Sequence, residues 1–177
     1  MKMNIKMRLF SFAAFFAASL SLASPASAQV NISGYTLPMD LALEAAQTAV
    51  KSCATHGYAV SAAVVDTAGL VVVQLRGDHA TVHTKDSSFR KAYTVVSMGP
   101  IFRFDRTSDF VTLLAKAPNG AGPALTDLPD ILAVPGGVGI KRGSEIVAGL
   151  GVGGAPGGDR DEACAVAGVA AIADKIK

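Results

Sequence analysis

Two apolar, β-branched runs, YAVSAAVVD and LVVVQLR, are separated only by Asp66-Thr67-Ala68-Gly69. A link that short joins antiparallel neighbours, because a parallel crossover needs a dozen or more residues. The pair therefore predicts a β-hairpin whose strands are largely buried. A second group, ILAVPGGVGIKRGSEIVAGLGVGG, is punctuated by Pro135-Gly136-Gly137 and Arg142-Gly143-Ser144 and predicts three further short strands. Helical patterns surround both groups, so the order is helix, two strands, helices, three strands, helix. That order predicts an α+β domain with a five-stranded antiparallel sheet and helices packed against it. It excludes a parallel dinucleotide-binding fold, which needs strand–helix alternation.

The first helix is expected from about Pro38 to Thr55, with His56-Gly57 as its stop. Val82, Phe89, Ala92, Tyr93 and Val96 recur at threes and fours and predict a second helix beginning near His79 and ending at Gly99-Pro100. A short third helix follows with Thr107 or Ser108 as N-cap, and residues 117–130, rich in Pro and Gly, read as a loop. The closing DRDEACAVAGVAAIADKIK reads as a helix with acids in its first turn and lysines in its last, as the helix dipole favours. The glycines of GGAPGGDRDE are expected to allow a tight turn and close strand–helix packing, with the acids capping the helix. Three acids there argue against a phosphate site.

Residues 1–28 have a basic start (MKMNIKMRLF), an apolar run (SFAAFFAASLSL) and a small-x-small ending (SPASA), the pattern of a cleaved signal peptide. Cleavage after Ala28 leaves about 149 residues, enough for one domain over 29–177. The leader takes Lys2, Lys6 and Arg8 with it, so the formal charge of +2 falls to about −1. That balance gives no electrostatic support for nucleic acid or an anionic membrane as partner. The apolar run is too short for a permanent anchor, so the expected location is periplasmic or secreted. Of the two cysteines, Cys53 lies in the first predicted helix and Cys164 in the last. An oxidising compartment lets them pair and staple the chain ends; separate buried thiols are the other arrangement. Neither belongs to a C-x-x-C motif, which argues against thioredoxin-like chemistry and covalent haem attachment.

His79 and His83 stand four residues apart in RGDHATVHTK. On one helix they would share a face, but a zinc site needs three or four ligands, and only Asp86 or His56 is on offer as a third. Solvated histidines are the plain alternative. Catalysis finds little support: there is no nucleophile elbow, and Ser87-Ser88 lack an orienting acid beside His83.

The pieces LALEAAQTAV, VSAAVVDTAGLVVVQLRGD, SSFRKAYT, VPGGVGI and GVGGAPGGDRDEACAVAGV, in this order and spacing, resemble the GlcG/HbpS-like haem-binding proteins, which are related to the C-terminal domain of some corrinoid adenosyltransferases. The resemblance covers nearly all of residues 29–177. It implies a profilin-like or PAS-like α/β/α domain, homo-oligomers and non-covalent haem. Haem needs one neutral imidazole, an apolar wall and cations for its propionates. In this sequence His83 can supply the imidazole as iron ligand, with His79 beside it, Phe89, Tyr93 and Val82 near by, and Lys85, Arg90 and Lys91 able to meet the propionates. A mid-helix Arg-Lys pair is otherwise a solvated face. Two places depart from the family wording, Arg76-Gly77-Asp78-His79-Ala80 and Val138-Gly139-Ile140, and the first leaves the ligand open. The expected role is a haem carrier, buffer or sensor accessory. The alternatives are an enzyme acting on haem, a small acid or a corrinoid, and a ligand-free oligomerisation domain.

Overall fold

The protein is seen here as a computed structural model that describes residues 33–177. The predicted leader lies outside the described residues. Helix α1 (Met39–Thr55) leads into the hairpin of β1 (Ser61–Asp66) and β2 (Val71–Arg76). Then come α2 (His83–Phe102), α3 (Thr107–Ala115), a 3-10 turn (Pro118–Gly120) and α4 (Ala121–Thr126). Strands β3 (Gly137–Arg142) and β4 (Glu145–Gly153) and helix α5 (Gly158–Ala170) complete the domain. The sheet is antiparallel with order β2-β1-β4-β3. Helices α1 and α5 cover one face and α2 the other, the α/β/α arrangement that was expected.

Four strands form, not five. The stretch 131–134 was expected to be a strand, but two of its backbone groups bond side chains of α2: Arg90 donates to the Ile131 carbonyl (2.8 Å), and Thr94 Oγ1 accepts from Leu132 N–H (2.8 Å). Pro135 has no N–H to give a ladder, and Ile131 is buried beside Phe110 and Val95 instead. Three smaller expectations also change. Helix α2 begins at His83, not His79, and runs through Pro100; a proline in the last turn removes only one intrahelical bond. Part of 117–130 is helical. Neither Thr107 nor Ser108 caps α3, because both hydroxyls face Glu162.

The two faces of the sheet differ in side-chain size for a reason visible in β4. Ala148, Leu150 and Val152 point into the core beneath α1 and α5, whose seam is made of Ala42, Ala45, Ala46, Ala49 and Ala165. The alternate positions Gly149, Gly151 and Gly153, with Gly137 and Gly139 on β3, lie under α2. A Cβ on Gly149 would stand 2.5 Å from the Ala92 carbonyl, and one on Gly151 would run into the Ser88 carbonyl. The glycine face thus lets the backbone of α2 rest directly on the sheet. Since backbone cannot move aside as a side chain can, Gly151→Ala is expected to destabilise by about 1–3 kcal/mol. Urea unfolding tests this, and an unchanged midpoint would show that the helix lifts freely.

The Cys53–Cys164 disulfide forms, with Cα atoms 5.5 Å apart, and joins α1 to α5 across 111 residues of chain. Lys175, beyond α5 rather than in its last turn, pairs with Glu44 of α1 (2.5 Å). Among the described residues no helix is long and apolar enough to cross a membrane.

Candidate functional site

The strand register puts Ser61, Arg76, Gly137 and Gly153 at one end of the sheet. The segments that enter or leave there are 56–60, 77–82, 131–136 and 154–157. All three histidines therefore belong to this end: His56 after α1, His79 in the link to α2, and His83 at the start of α2. The opposite end carries the two hairpin turns.

Local chemistry fixes the link. Gly77 N–H donates to the Val60 carbonyl (2.9 Å), and the Arg76 guanidinium donates to the Ala80 carbonyl. His79 takes a left-handed backbone (φ 62°), so it shapes the turn. Since the helix starts four residues later, the i,i+4 pairing of His79 with His83 does not arise. Among the described residues no three His, Cys, Asp or Glu side chains gather to hold a metal, which removes the zinc arrangement with Asp86 or His56.

His83 is exposed, with Nδ1 3.1 Å from Thr81 Oγ1. When Nδ1 carries the proton and donates to that hydroxyl, Nε2 keeps its lone pair for a ligand. Thr84, next to it, is fully buried and tied to Ser61 Oγ (2.8 Å), which anchors the first turn of α2 to β1. Further along α2, Phe89 and Tyr93 are half-buried with ring centroids 5.8 Å apart, and Tyr93 lies against Gly69 of the first hairpin turn. Val82 is highly exposed, as are Leu70 and Val71. Helix α2 thus carries an exposed imidazole in its first turn and an aromatic pair further along, toward the first hairpin turn.

The cations do not behave alike. Lys85 is exposed beside Asp86, and the half-buried Arg90 is held by the Ile131 carbonyl. Lys91 points inward and is 3 % exposed, so it is no part of a solvated helix face. Its Nζ lies 2.7 Å from Asp161 Oδ2, while Asp161 Oδ1 accepts from Ala155 N–H (2.9 Å). The pair meets beside Gly136 (φ 131°), where a Cβ would stand 2.7 Å from the ammonium. Burial raises the Asp161 carboxyl above its usual range, and Lys91 and the Ala155 and Gly154 amides oppose that rise. Neighbouring Glu162 accepts from Ser108 Oγ (2.6 Å), Ser108 N–H (3.1 Å) and Gly136 N–H (3.3 Å). Two of the three acids expected as helix caps, Asp161 and Glu162, are thus internal ties from α5 to α2, α3 and the approach to β3. No local sequence signal separates Asp161 and Glu162 from the exposed Asp159.

A concave pocket of about 300 Å³ opens at the same end, between the end of α1 and the start of α5. Ser52, His56, Tyr58, Arg160, Ala163 and Cys164 line it. Sequence reasoning weighed His56 only as a third zinc ligand and did not single out Tyr58 or Arg160. The three are 2 and 102 residues apart along the chain, and only the packing of α1 on α5 joins them.

The family described as haem degrading protein HbpS-like matches residues 37–170. The crystal structure of HbpS is similar with 39 % identity over 80 % of this chain and 94 % of that one, at a TM-score of 0.71. A variant of Streptomyces reticuli HbpS with two glutamate-to-aspartate changes gives 38 % identity, 85 % and 97 % coverage and 0.71. PduOC, solved in complex with heme, shares the fold at 23 % identity, 78 % and 96 % coverage and 0.65. No curated protein matches the sequence. With a family match over residues 37–170, from the end of the arm before α1 to the last turn of α5, the chain belongs to the HbpS-like family.

Proposed function

We propose that this chain is an exported haem-binding protein that carries, buffers or presents haem in a homo-oligomer, without turnover of its own. Membership of the HbpS-like family over residues 37–170 is the observation that carries the reading. In this reading His83 is the iron ligand, Phe89, Tyr93 and Val82 offer the macrocycle an apolar wall, and Arg90 with exposed Lys85 meets the propionates. The haem would supply the redox-active iron; the chain supplies the imidazole, the apolar surface and the cations. His79 sets the turn that presents His83. Lys91 serves indirectly, by holding the helix that carries them. PduOC, alike in fold, was solved with heme, which accords with the reading.

Titration with hemin is expected to give a saturable Soret band, and His83→Ala to shift it and weaken binding at least about tenfold, roughly 1.4 kcal/mol. A spectrum unchanged by that substitution would remove His83 as ligand. No saturable band at all would remove the haem reading.

The family description names haem degradation, which supports a second reading. Incubating the haem-loaded protein with a reductant and oxygen separates the two. A carrier keeps its Soret band over many reductant equivalents, whereas a degrading protein loses it catalytically.

A further inference from the structure

The pocket between α1 and α5 has a construction that haem binding along α2 does not use. Cys164 of the disulfide is part of its lining, and the other lining residues lie close in the chain to one cysteine or the other. His56 follows Cys53 by three residues, and Arg160 precedes Cys164 by four, one turn earlier on the same helix face. The backbone at the end of α1 is closed by paired bonds, Tyr58 N–H to Cys53 O (3.1 Å) and Gly57 N–H to Ala54 O (2.9 Å), with Gly57 left-handed at φ 76°. This is the Schellman arrangement, and it fixes where His56 and Tyr58 sit. The two rings are inclined at 28° with centroids 6.0 Å apart. The Arg160 guanidinium stands over the Tyr58 ring at 5.6 Å.

The charge in this pocket has no internal use. Among the described residues Arg160 makes no ion pair, while its neighbours Asp161 and Glu162 are committed inside the fold. Arg160 lies in the first turn of α5, where the helix dipole disfavours a cation, so helix stability does not explain it. A guanidinium stacked on a tyrosine keeps its planar fork preorganised for a carboxylate. The histidine and Ser52 add hydrogen-bonding groups, and the His56 and Tyr58 rings add aromatic surface to the lining. The volume is at the small end of the roughly 300–1,000 Å³ typical of small-molecule sites. It accommodates one or two fused rings rather than a tetrapyrrole.

We infer that the pocket formed by Ser52, His56, Tyr58 and Arg160 beside the Cys53–Cys164 disulfide binds a small planar aromatic carboxylate, at a site separate from His83. Arg160 takes the carboxylate and Tyr58 with His56 takes the ring.

The test uses the intact, disulfide-bonded protein and 2-naphthoate as probe, followed by calorimetric titration. Saturable binding is expected, at least tenfold weaker in Arg160→Gln and in Tyr58→Ala and unchanged in His83→Ala. The neutral isostere 2-naphthylmethanol is expected to bind at least tenfold more weakly than the carboxylate. Arg160 is exposed, so Arg160→Gln leaves the core intact, and an unchanged far-ultraviolet circular dichroism spectrum confirms it. The inference is overturned by no saturable binding, by equal affinity of the alcohol, or by an Arg160→Gln protein that binds as the wild type does. It is also overturned if hemin displaces the probe and His56→Ala abolishes the Soret band, since the pocket would then be the haem site itself.

Discussion

Lys91→Met is expected to destabilise the protein by about 3–5 kcal/mol at pH 7, because it leaves the Asp161 carboxylate buried without its cation. The deficit should depend on pH in a defined direction. In the wild type, burial already raises the Asp161 carboxyl above its usual range, with Lys91 the largest opposing influence. A carboxyl whose folded pKa is raised binds its proton more readily in the native state than in the unfolded chain. Its contribution to stability therefore falls as pH rises through the window between the unfolded and folded values, and is recovered below it. Removing Lys91 widens that window upward. The deficit of Lys91→Met should grow by up to about 1.4 kcal/mol per pH unit within it, and shrink on acidification. Combining Lys91→Met with Asp161→Leu should recover most of the loss, since a buried pair replaced by apolar groups is often neutral. Urea unfolding of the two single variants and the double, at pH 5 and 7, measures all of this. A loss under about 1 kcal/mol at pH 7, or one that grows in acid, would show that water reaches Asp161.

Removal of the disulfide by Cys53→Ser with Cys164→Ser is expected to lower stability by about 2–5 kcal/mol, with the upper end favoured by a loop of 111 residues. Part of the loss has a local cause: both cysteines are buried in the seam of α1 and α5, where two hydroxyls find an apolar setting. Cys53→Ala with Cys164→Ala separates the two contributions, because it removes the crosslink without burying hydroxyls. Thermal unfolding of the three proteins reads the difference. A reduced wild type as stable as the oxidised one would show that alanine packing alone holds the helices together.

Much of the fold was legible because it depends on local periodicity. The spacing of Leu41, Ala45 and Ala49 and the stop at His56-Gly57 placed α1, and Asp66 to Gly69 between two β-branched runs placed the first hairpin. The second hairpin was overcounted by one strand. Ile131 to Val134 have strand composition, yet the Ile131 carbonyl and the Leu132 N–H bond side chains of α2, about 40 residues earlier, and composition holds no record of that. A finer signal lies in GVGI and AGLGVG, where glycine alternates with an apolar residue at period two and marks a strand with one face flush against another backbone.

The candidate site was less legible than the fold. HATVH suggested two imidazoles on one helix, but a left-handed His79 delays the helix to His83. RKAYT offered two adjacent cations to the propionates of one haem, or otherwise to solvent, and the structure separates them. Residues 90 and 91 differ by roughly 100° around a helix, so one reaches the rim at Ile131 and the other the interior at Asp161.

By itself the sequence determined the α+β class, the antiparallel hairpins, the first helix and the family, because each is encoded in residues near one another along the chain. Only the tertiary structure decided that Lys91 is internal, that Cys53 meets Cys164, and that His56, Tyr58 and Arg160 form one pocket. Those facts depend on which faces of α1, α2 and α5 meet across the sheet. The meeting is set by a glycine face under α2 and an alanine seam under α5, whose effect on distance exists only once the layers are packed.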